Sequence, residues 1–525
     1  YAPPGRLPRV DLKMPTLTYE LAVDWNNDGS FAGANEDITS YVLTLRAERG
    51  RFDPSTLSGK ALAGRLDVEL NNTNGIFSSF NTASPLSGNL LPGRPVRWRV
   101  TSPSIVTLWQ GHLDRIIPLP TIGRAPRVRL LAHGVMAKAA GTRVNTDLFS
   151  TIYTGAAVNR ILDEIGIATS TNERAIDAGQ LPINRWWADD RITALEAIRE
   201  VEDSDPGFLY ESGAGKVVFE DRRHRLLSPH TVSQATYSDA TGATLPYEQI
   251  VQDDPLRYIV NRVRVPIERL SAGATGTPLW SMDVASGAIP SLEIGESRVF
   301  SGLYPQSTSP ANHRAVVQWT TGAPTPGITA NSASDGLGTD LTTAIGVTYR
   351  GRATKIDVTL INNATVTAYI TALSATGTPL LAGQQSFYVR DSTASQAKYG
   401  IRQYDFPGDW LSATPIPDAQ DRAGWIIGAF QEPTSILRLR HHINRSSAFI
   451  TERLTREISD RVTVVANNAA GLGINEDFFV EQLTDIVTNR GGTHRVIYSL
   501  SPASIFGGFW VLGTGSLGVS TKLGW

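Results

Sequence analysis

The feature that most constrains this chain is a two-residue alternation of apolar and polar side chains that recurs early in it. Arg65-Leu66-Asp67-Val68-Glu69-Leu70 puts its aliphatic residues on one side and its charges on the other. Successive side chains of a strand point to opposite faces, so this run reads as a strand with one buried and one wet face. Val96-Arg97-Trp98-Arg99-Val100 repeats the pattern, and Val128-Arg129-Leu130-Leu131-Ala132 does so less cleanly. Residues 17–22 and 41–46 are rich in strand formers. Asn74-Gly75 predicts a tight type I′ turn, because both residues tolerate positive φ. Residues 16–135 are therefore expected to form a barrel-like or sandwich-like β domain.

A chain of 525 residues is too long for one hydrophobic core, and about three or four domains are expected. The overall fold class is mainly β with α+β parts, several barrel- or sandwich-like β domains being joined by a small helix-hairpin module. Cysteine is absent, which excludes disulfides, thiolate metal sites and cysteine nucleophiles together. Net charge is −2 with the two signs interspersed, so specific nucleic-acid binding has no electrostatic footprint. No run reaches the roughly 18 apolar residues of a membrane span. Residues 1–15 read as an extended N-terminal arm.

Beyond the first domain the pattern changes. Val158, Ile161, Leu162 and Ile165 have helical spacing, with Thr154 placed to cap the helix and Gly166 to end it. A second helix is expected to start near Asp189 or Asp190, burying Ile192, Leu195, Ile198 and Val201 and ending at Pro206-Gly207. A hairpin joins residues 208–210 to 217–219, so 136–228 form an α+β module. Residues 229–330 are Thr-, Ser- and Pro-rich, an irregular or β connecting region with one clear strand at 258–265. Residues 331–385 predict a small β-sandwich inserted into the body, with strands at 355–360 and 366–370. Residues 386–525 return to the body as mixed α/β, with a helix over 446–459 and C-terminal strands near Phe509 and Trp525.

One motif nominates a ligand. Asp24-x-Asn26-x-Asp28-Gly29-Ser30 matches the first half of an EF-hand-type calcium loop, which needs side-chain oxygens at alternate positions and a glycine for the turn. The twelfth position is Asn35, with Glu36 and Asp37 one and two places later, so a shifted bidentate ligand is expected there, Glu36 being taken into the set. The competing reading is a polar hairpin turn whose Asp and Asn side chains bond the backbone. Calcium, with Asp24, Asn26, Asp28, Ser30 and Glu36 as its ligand set, is the one cofactor the sequence nominates.

Other constellations point away from catalysis. His441-His442 are neighbours and face different ways, which rarely suits one metal. No G-x-S-x-G elbow sits between a strand and a helix, and no Walker-type loop occurs. Asp189/Asp190 read as a helix start, where negative charge meets the positive end of the dipole. Arg94/Arg97/Arg99 and Arg124/Arg127/Arg129 read either as solvated strand faces or as subunit contacts. Trp410, Trp425, Trp510, Trp525, Phe506 and Phe509 read as core or interface.

Several segments, taken in order, carry a family resemblance. They are Val23-Asp24-Trp25-Asn26-Asn27-Asp28-Gly29-Ser30, Asp37-Ile38-Thr39, Arg46 to Arg51, Asn71-Asn72-Thr73-Asn74-Gly75, the run from Ser84 through Pro92-Gly93-Arg94-Pro95-Val96-Arg97, and Trp109-Gln110-Gly111-His112-Leu113-Asp114. This order resembles the minor tail proteins, or baseplate (tail tip) hub proteins, of long-tailed siphovirus-type bacteriophages. The resemblance implies a non-enzymatic structural protein of the virion, made in the host bacterial cytoplasm and placed at the distal end of the tail. Its implied partners are further copies of itself in a ring (a trimer), the tail tube and distal tail proteins, and receptor-binding or central tip proteins. The implied work is to close the tube, to link it to host attachment, and to rearrange for genome ejection. Two other classes are weighed beside it. One is a carbohydrate- or receptor-binding tail protein, with Tyr349 and Tyr369 of the sandwich as sugar contacts. The other is a tail-associated cell-wall hydrolase.

Overall fold

The computed structural model describes residues 17–51, 57, 59–120, 125–170, 173–205, 207–254, 256–267, 270–282, 289–304, 312–316, 324–383, 386–407, 416–467 and 471–506. The expected arm at 1–15, Arg124, Pro206, Trp410 and the strands expected near Phe509, Trp510 and Trp525 lie outside these residues. Strands make up 43% and helices 18%, so the chain is mainly β, as its alternating runs predict.

The alternating runs become β1 (Thr18–Val23), β2 (Val42–Gly50), β3 (Arg65–Asn71), β4 (Pro95–Ser102), β5 (Val106–Leu119) and β6 (Arg127–His133). Leu66, Val68 and Leu70 of β3 are buried, and the residues between them are not. These strands pair in the order β1-β4-β5-β6-β3-β2. A barrel would close by bringing β2 back to β1. Here β2 pairs instead with Ile474–Thr488, Leu45 lying opposite Val487 and Gly50 opposite Gln482. The sheet continues through Thr493–Pro502 and Ile436–His442 to Gln249–Asp253, and Arg461–Ala466 with Thr236–Ser238 branches from Ile474–Thr488, making twelve strands without a closed barrel. The expected barrel- or sandwich-like β domain is thus a sheet that does not close into a barrel, because a strand from residues 474–488 has taken β2's free backbone edge. The sheet is nonetheless rolled. Tyr19 of β1 and Trp98 of β4 both pack on His494, several strands away in the sheet, around one shared apolar core.

Asn74-Gly75 does not close a hairpin. Only Gly75 has positive φ, and the segment is a run of successive turns, with Gly75 N bonded to Asn72 O, Ser78 N to Gly75 O, Asn81 N to Ser78 O and Ser84 N to Asn81 O. Buried Phe77, Leu86 and Leu90 anchor it.

The helical module packs α1 (Met136–Gly141), α2 (Thr154–Glu164) and α3 (Ala194–Ser204) into a second core. In α2 the face of Val158, Ile161 and Leu162 is buried as the spacing predicts, and Gly166 ends the helix at φ +66. Two starts differ from expectation. Thr154 does not cap α2 but lies within it, its hydroxyl donating to Asp205 Oδ2 at 2.9 Å. Helix α3 begins at Ala194 rather than at Asp189 or Asp190. Thr193 and Glu196 form a reciprocal capping box, which satisfies two of the free N–H groups at the helix end. The hairpin Phe208–Glu211 with Val217–Glu220 follows as expected. Near the other end of the chain, Ser446 caps the helix Ser447–Thr455, which is shorter than the 446–459 predicted.

The strand expected at 258–265 starts later, at Arg262–Ile267, after a short 3-10 turn at Leu256–Tyr258. It pairs with Ser386–Asp391, and Leu270–Ala272 pairs with Pro379–Ala382. These two antiparallel pairs form a stalk that carries the chain out to a sandwich and back. One sandwich sheet contains Thr277–Ser281, Ser291–Leu292, Thr325–Asn331 and Ala368–Gly377. The other contains Ser297–Leu303, Ile345–Gly351 and Lys355–Asn362. The sandwich therefore draws strands from well before residue 331. Its own core includes Leu292, Ile356, Val358, Leu360, Ile370 and Leu373.

Candidate functional site: an acidic loop and a buried polar seam

The loop after β1 folds back along that strand. Val23 N bonds to Glu36 O and Ile38 N to Leu21 O, so residues 36–38 cover the outer edge of β1 at its C-terminal half. The return brings together Asp24, Asp28 and Glu36, with one oxygen of each within 4.8 Å of the others. Asp24 and Glu36 are buried, and Asp28 is exposed. Asp24 accepts from Asp28 N at 3.1 Å and from Gly29 N at 2.9 Å, and Glu36 accepts from Gly33 N at 2.6 Å. Of the five residues expected as ligands, these three converge. Asn26 Nδ2 is turned to Asp28 Oδ2 at 2.9 Å, and Ser30 Oγ accepts from Ala32 N. Three carboxylates this close repel one another, and a cation between them would offset that. Hard oxygen donors, two of them fixed in the fold, suit calcium chemically.

A second concentration of polar groups lies where the helical module meets the C-terminal strands. Arg225 and Glu481 pair with neither side chain exposed. Arg453 grips Asp485 through two bonds of 2.8 and 2.6 Å, and His494 Nε2 lies 2.8 Å from the same carboxylate. His494 Nδ1 in turn is 2.9 Å from the Tyr19 hydroxyl. Burial opposes the charge on Asp485, but Arg453 outweighs it and keeps the carboxyl below the usual range. Burial pushes the Tyr19 phenol up, with Asp485 adding to the effect, and pushes His494 down. A phenol so poised is a poor nucleophile. The array fits a load of charge that ties β1 to the strands at 474–502.

Glu211 is the third element. It sits at the end of the strand Phe208–Glu211 and accepts from Gly64 N at 2.7 Å and Met136 N at 2.5 Å, joining the module to the loop before β3 and to the start of α1. Burial raises its carboxyl to about 7, against the pull of these two donors and Arg49. A Cβ on Gly134 would come within 1.7 Å of its Oε2, so any side chain there would push the Glu211 carboxylate off its two donors.

The sequence reading missed this seam because buried charge follows no spacing rule. A local signal did exist, since Glu481 interrupts the apolar run Phe478-Phe479-Val480. Four arginines of the two clusters find partners within the chain. Arg97 and Arg99 each meet Glu20 at 2.7 Å, Arg127 meets Glu69 at 2.8 Å, and Arg129 pairs with Asp67. Trp425 and Phe506 pack together in the second core. His441 is buried and His442 reaches Glu248, so the pair does not converge. Tyr349 and Tyr369 lie on different sheets of the sandwich. Tyr369 alternates with buried Ala368 and Ile370 and so faces away from the sandwich core, so the two tyrosines do not build one sugar platform.

No protein-family model and no curated protein matches the chain. Among solved structures, it is similar to the tail protein from Neisseria meningitidis MC58, with 9% identity, coverage of 93% of this chain and 97% of that one, and a TM-score of 0.47. It is also similar to the 43 kDa tail protein of prophage MuSo2 from Shewanella oneidensis, with 11% identity, coverage of 93% and 99%, and a TM-score of 0.49. A third similar structure is the prophage tail protein gp18 from Listeria monocytogenes EGD-e, with 10% identity, coverage of 93% and 96%, and a TM-score of 0.38.

Proposed function

We propose that this chain is a structural component of a bacteriophage tail, acting as the baseplate hub at the tail tip. The order of motifs between Val23 and Asp114 supports that reading. The observation that carries it is the open sheet. Among the described residues, early and late strands fold into one rolled sheet whose main path ends on β1 and Gln249–Asp253. Strand edges left open in a monomer invite pairing, and assembly into a closed ring covers them. The buried Arg and Glu pairs serve cohesion of the subunit, and the role needs no reaction. Its partners are further copies in a trimeric ring, the tail tube above it, and receptor-binding or central tip proteins below it.

The test is imaging of the purified chain and of virions. Negative-stain microscopy should show threefold rings, and antibody labelling should mark the distal tail end. A monomer absent from that end, or an activity that clears cell wall in a zymogram, would overturn the reading.

We also propose that Asp24, Asp28 and Glu36 take one calcium ion. The loop they close lies along the β1 edge, so the ion would stiffen the cover over half of that edge and leave Thr18–Glu20 open for pairing.

A further inference from the structure

The sandwich touches the body at a place other than its stalk. The hairpin between the strands Ile345–Gly351 and Lys355–Asn362 reaches back to α2 and to residues 145–146. Arg350 Nη2 lies 3.2 Å from Glu164 Oε1 and Arg352 Nη1 lies 3.0 Å from Glu164 Oε2. Arg352 also donates to Asn145 O, Asn145 Nδ2 donates to Thr354 Oγ1 at 3.1 Å, and Ala353 N donates to Thr146 O at 3.0 Å. Ala353 is buried, and it belongs to the core of the helical module rather than to that of the sandwich.

We propose that residues 350–354 form a releasable latch, and that the sandwich is a module hinged on its stalk and held against α2 by that latch. Three observations carry this. The sandwich has a separate apolar core, so it keeps its structure when detached from the body. Its entry and exit strands pair with each other in the stalk, where Asn312–Val316 adds one more strand beside Pro379–Ala382, so a small three-stranded sheet is the connection about which the module can turn. The latch itself is small and polar. It consists of one alanine plug, a few hydrogen bonds and a two-arginine grip on Glu164, whose side chain is 27% exposed and open to competition by water. Local opening draws on segments with few buried apolar contacts. Release would change the direction in which the sandwich points without unfolding either part.

Two measurements on the full chain test this. In the wild type, the Ala353 amide should exchange with solvent by local opening, well before the Val358 amide of the sandwich core. Exchange of both in one cooperative event would overturn the proposal. The chain lacks cysteine, so Leu337→Cys on the sandwich and Val232→Cys on the body, both exposed, accept spin labels uniquely. Glu164→Arg, which sets like charges against Arg350 and Arg352, should turn one narrow distance population into a broad or double one. Arg350→Glu and Arg352→Glu added to that background, which set opposite charges against the new arginine, should restore the narrow one. An unchanged distribution in Glu164→Arg would overturn the latch.

Discussion

Arg225 and Glu481 form an ion pair sealed from water, with Nη1 2.6 Å from Oε1 and neither side chain exposed. Ser459 accepts from Arg225 Nε at 2.8 Å, and Ser501 donates to Glu481 at 2.6 Å. The guanidinium also lies over the Phe208 ring at 3.5 Å from its centroid. Burial alone would neutralise Glu481, yet Arg225 outweighs it and holds the carboxyl below its ordinary range. The pair links the helical module to the strand that completes the large sheet, so the two cannot part without stranding a charge.

Breaking that pair should be severe. Arg225→Met leaves the Glu481 carboxyl buried without its main counter-charge, and a loss of about 3–5 kcal/mol is expected. The double variant Arg225→Met/Glu481→Leu should recover most of it, because removing both charges also removes their desolvation. Urea unfolding midpoints read the difference. A single variant within about 1 kcal/mol of the parent would contradict the buried-pair account.

Glu211 sets a pH dependence of definite sign. Its folded carboxyl stands at about 7, above the ordinary 4.5. The folded state therefore keeps a proton that the unfolded chain has released, and this contribution is complete below about 4.5 and lost as pH rises through 7. Stability should fall between about pH 5 and pH 8, and Glu211→Gln should flatten that slope. Urea melts at the two pH values, with parent and variant falling alike, would count against it.

His441 should behave in the opposite sense. It is fully buried among Tyr237, Phe449 and Tyr498, and neither ring nitrogen has a hydrogen-bond partner among the described residues. Burial drives its pKa down to about 3. The unfolded chain takes up a proton near 6.5 and the folded chain does not, so this contribution is present above that pH and lost as pH falls toward 3. His441→Phe should stabilise the protein by roughly 1–3 kcal/mol by removing two unsatisfied polar atoms. It should also reduce acid sensitivity in thermal melts at about pH 5.

Calcium should bind the full chain with micromolar-to-millimolar affinity and raise its melting temperature. Calorimetry is the direct check. Asp24→Asn and Glu36→Gln should each abolish the heat, and a parent protein that gives none in that range would remove the ion from the β1 edge. The whole chain is the right sample, because β2 needs its partner from residues 474–488.

Much of the local structure was legible from spacing. Leu66, Val68 and Leu70 gave the buried face of β3, and Val158, Ile161 and Leu162 gave that of α2, because each pattern matches the geometry of one element. Element starts were less legible. Asp189 and Asp190 suit a helix start by charge alone, but Thr193 and Glu196 win it by bonding the free N–H groups. For the acidic loop, the residue types were plain, and Asp24, Asp28 and Glu36 were brought together only by the fold-back over β1.

By itself the sequence determined that the chain would be built largely of half-buried strands, which faces those strands would bury, and where one acidic turn would fall. These are properties of neighbouring residues and their periodicity. Only the tertiary structure decided that β2 would pair with a strand from the other end of the chain and leave the sheet open, that the sandwich would gather strands from both sides of residue 331, and that Arg225 would meet Glu481. Backbone edges are chemically alike whatever their position in the chain, so the choice among them rests on how whole cores pack and which buried charges find partners.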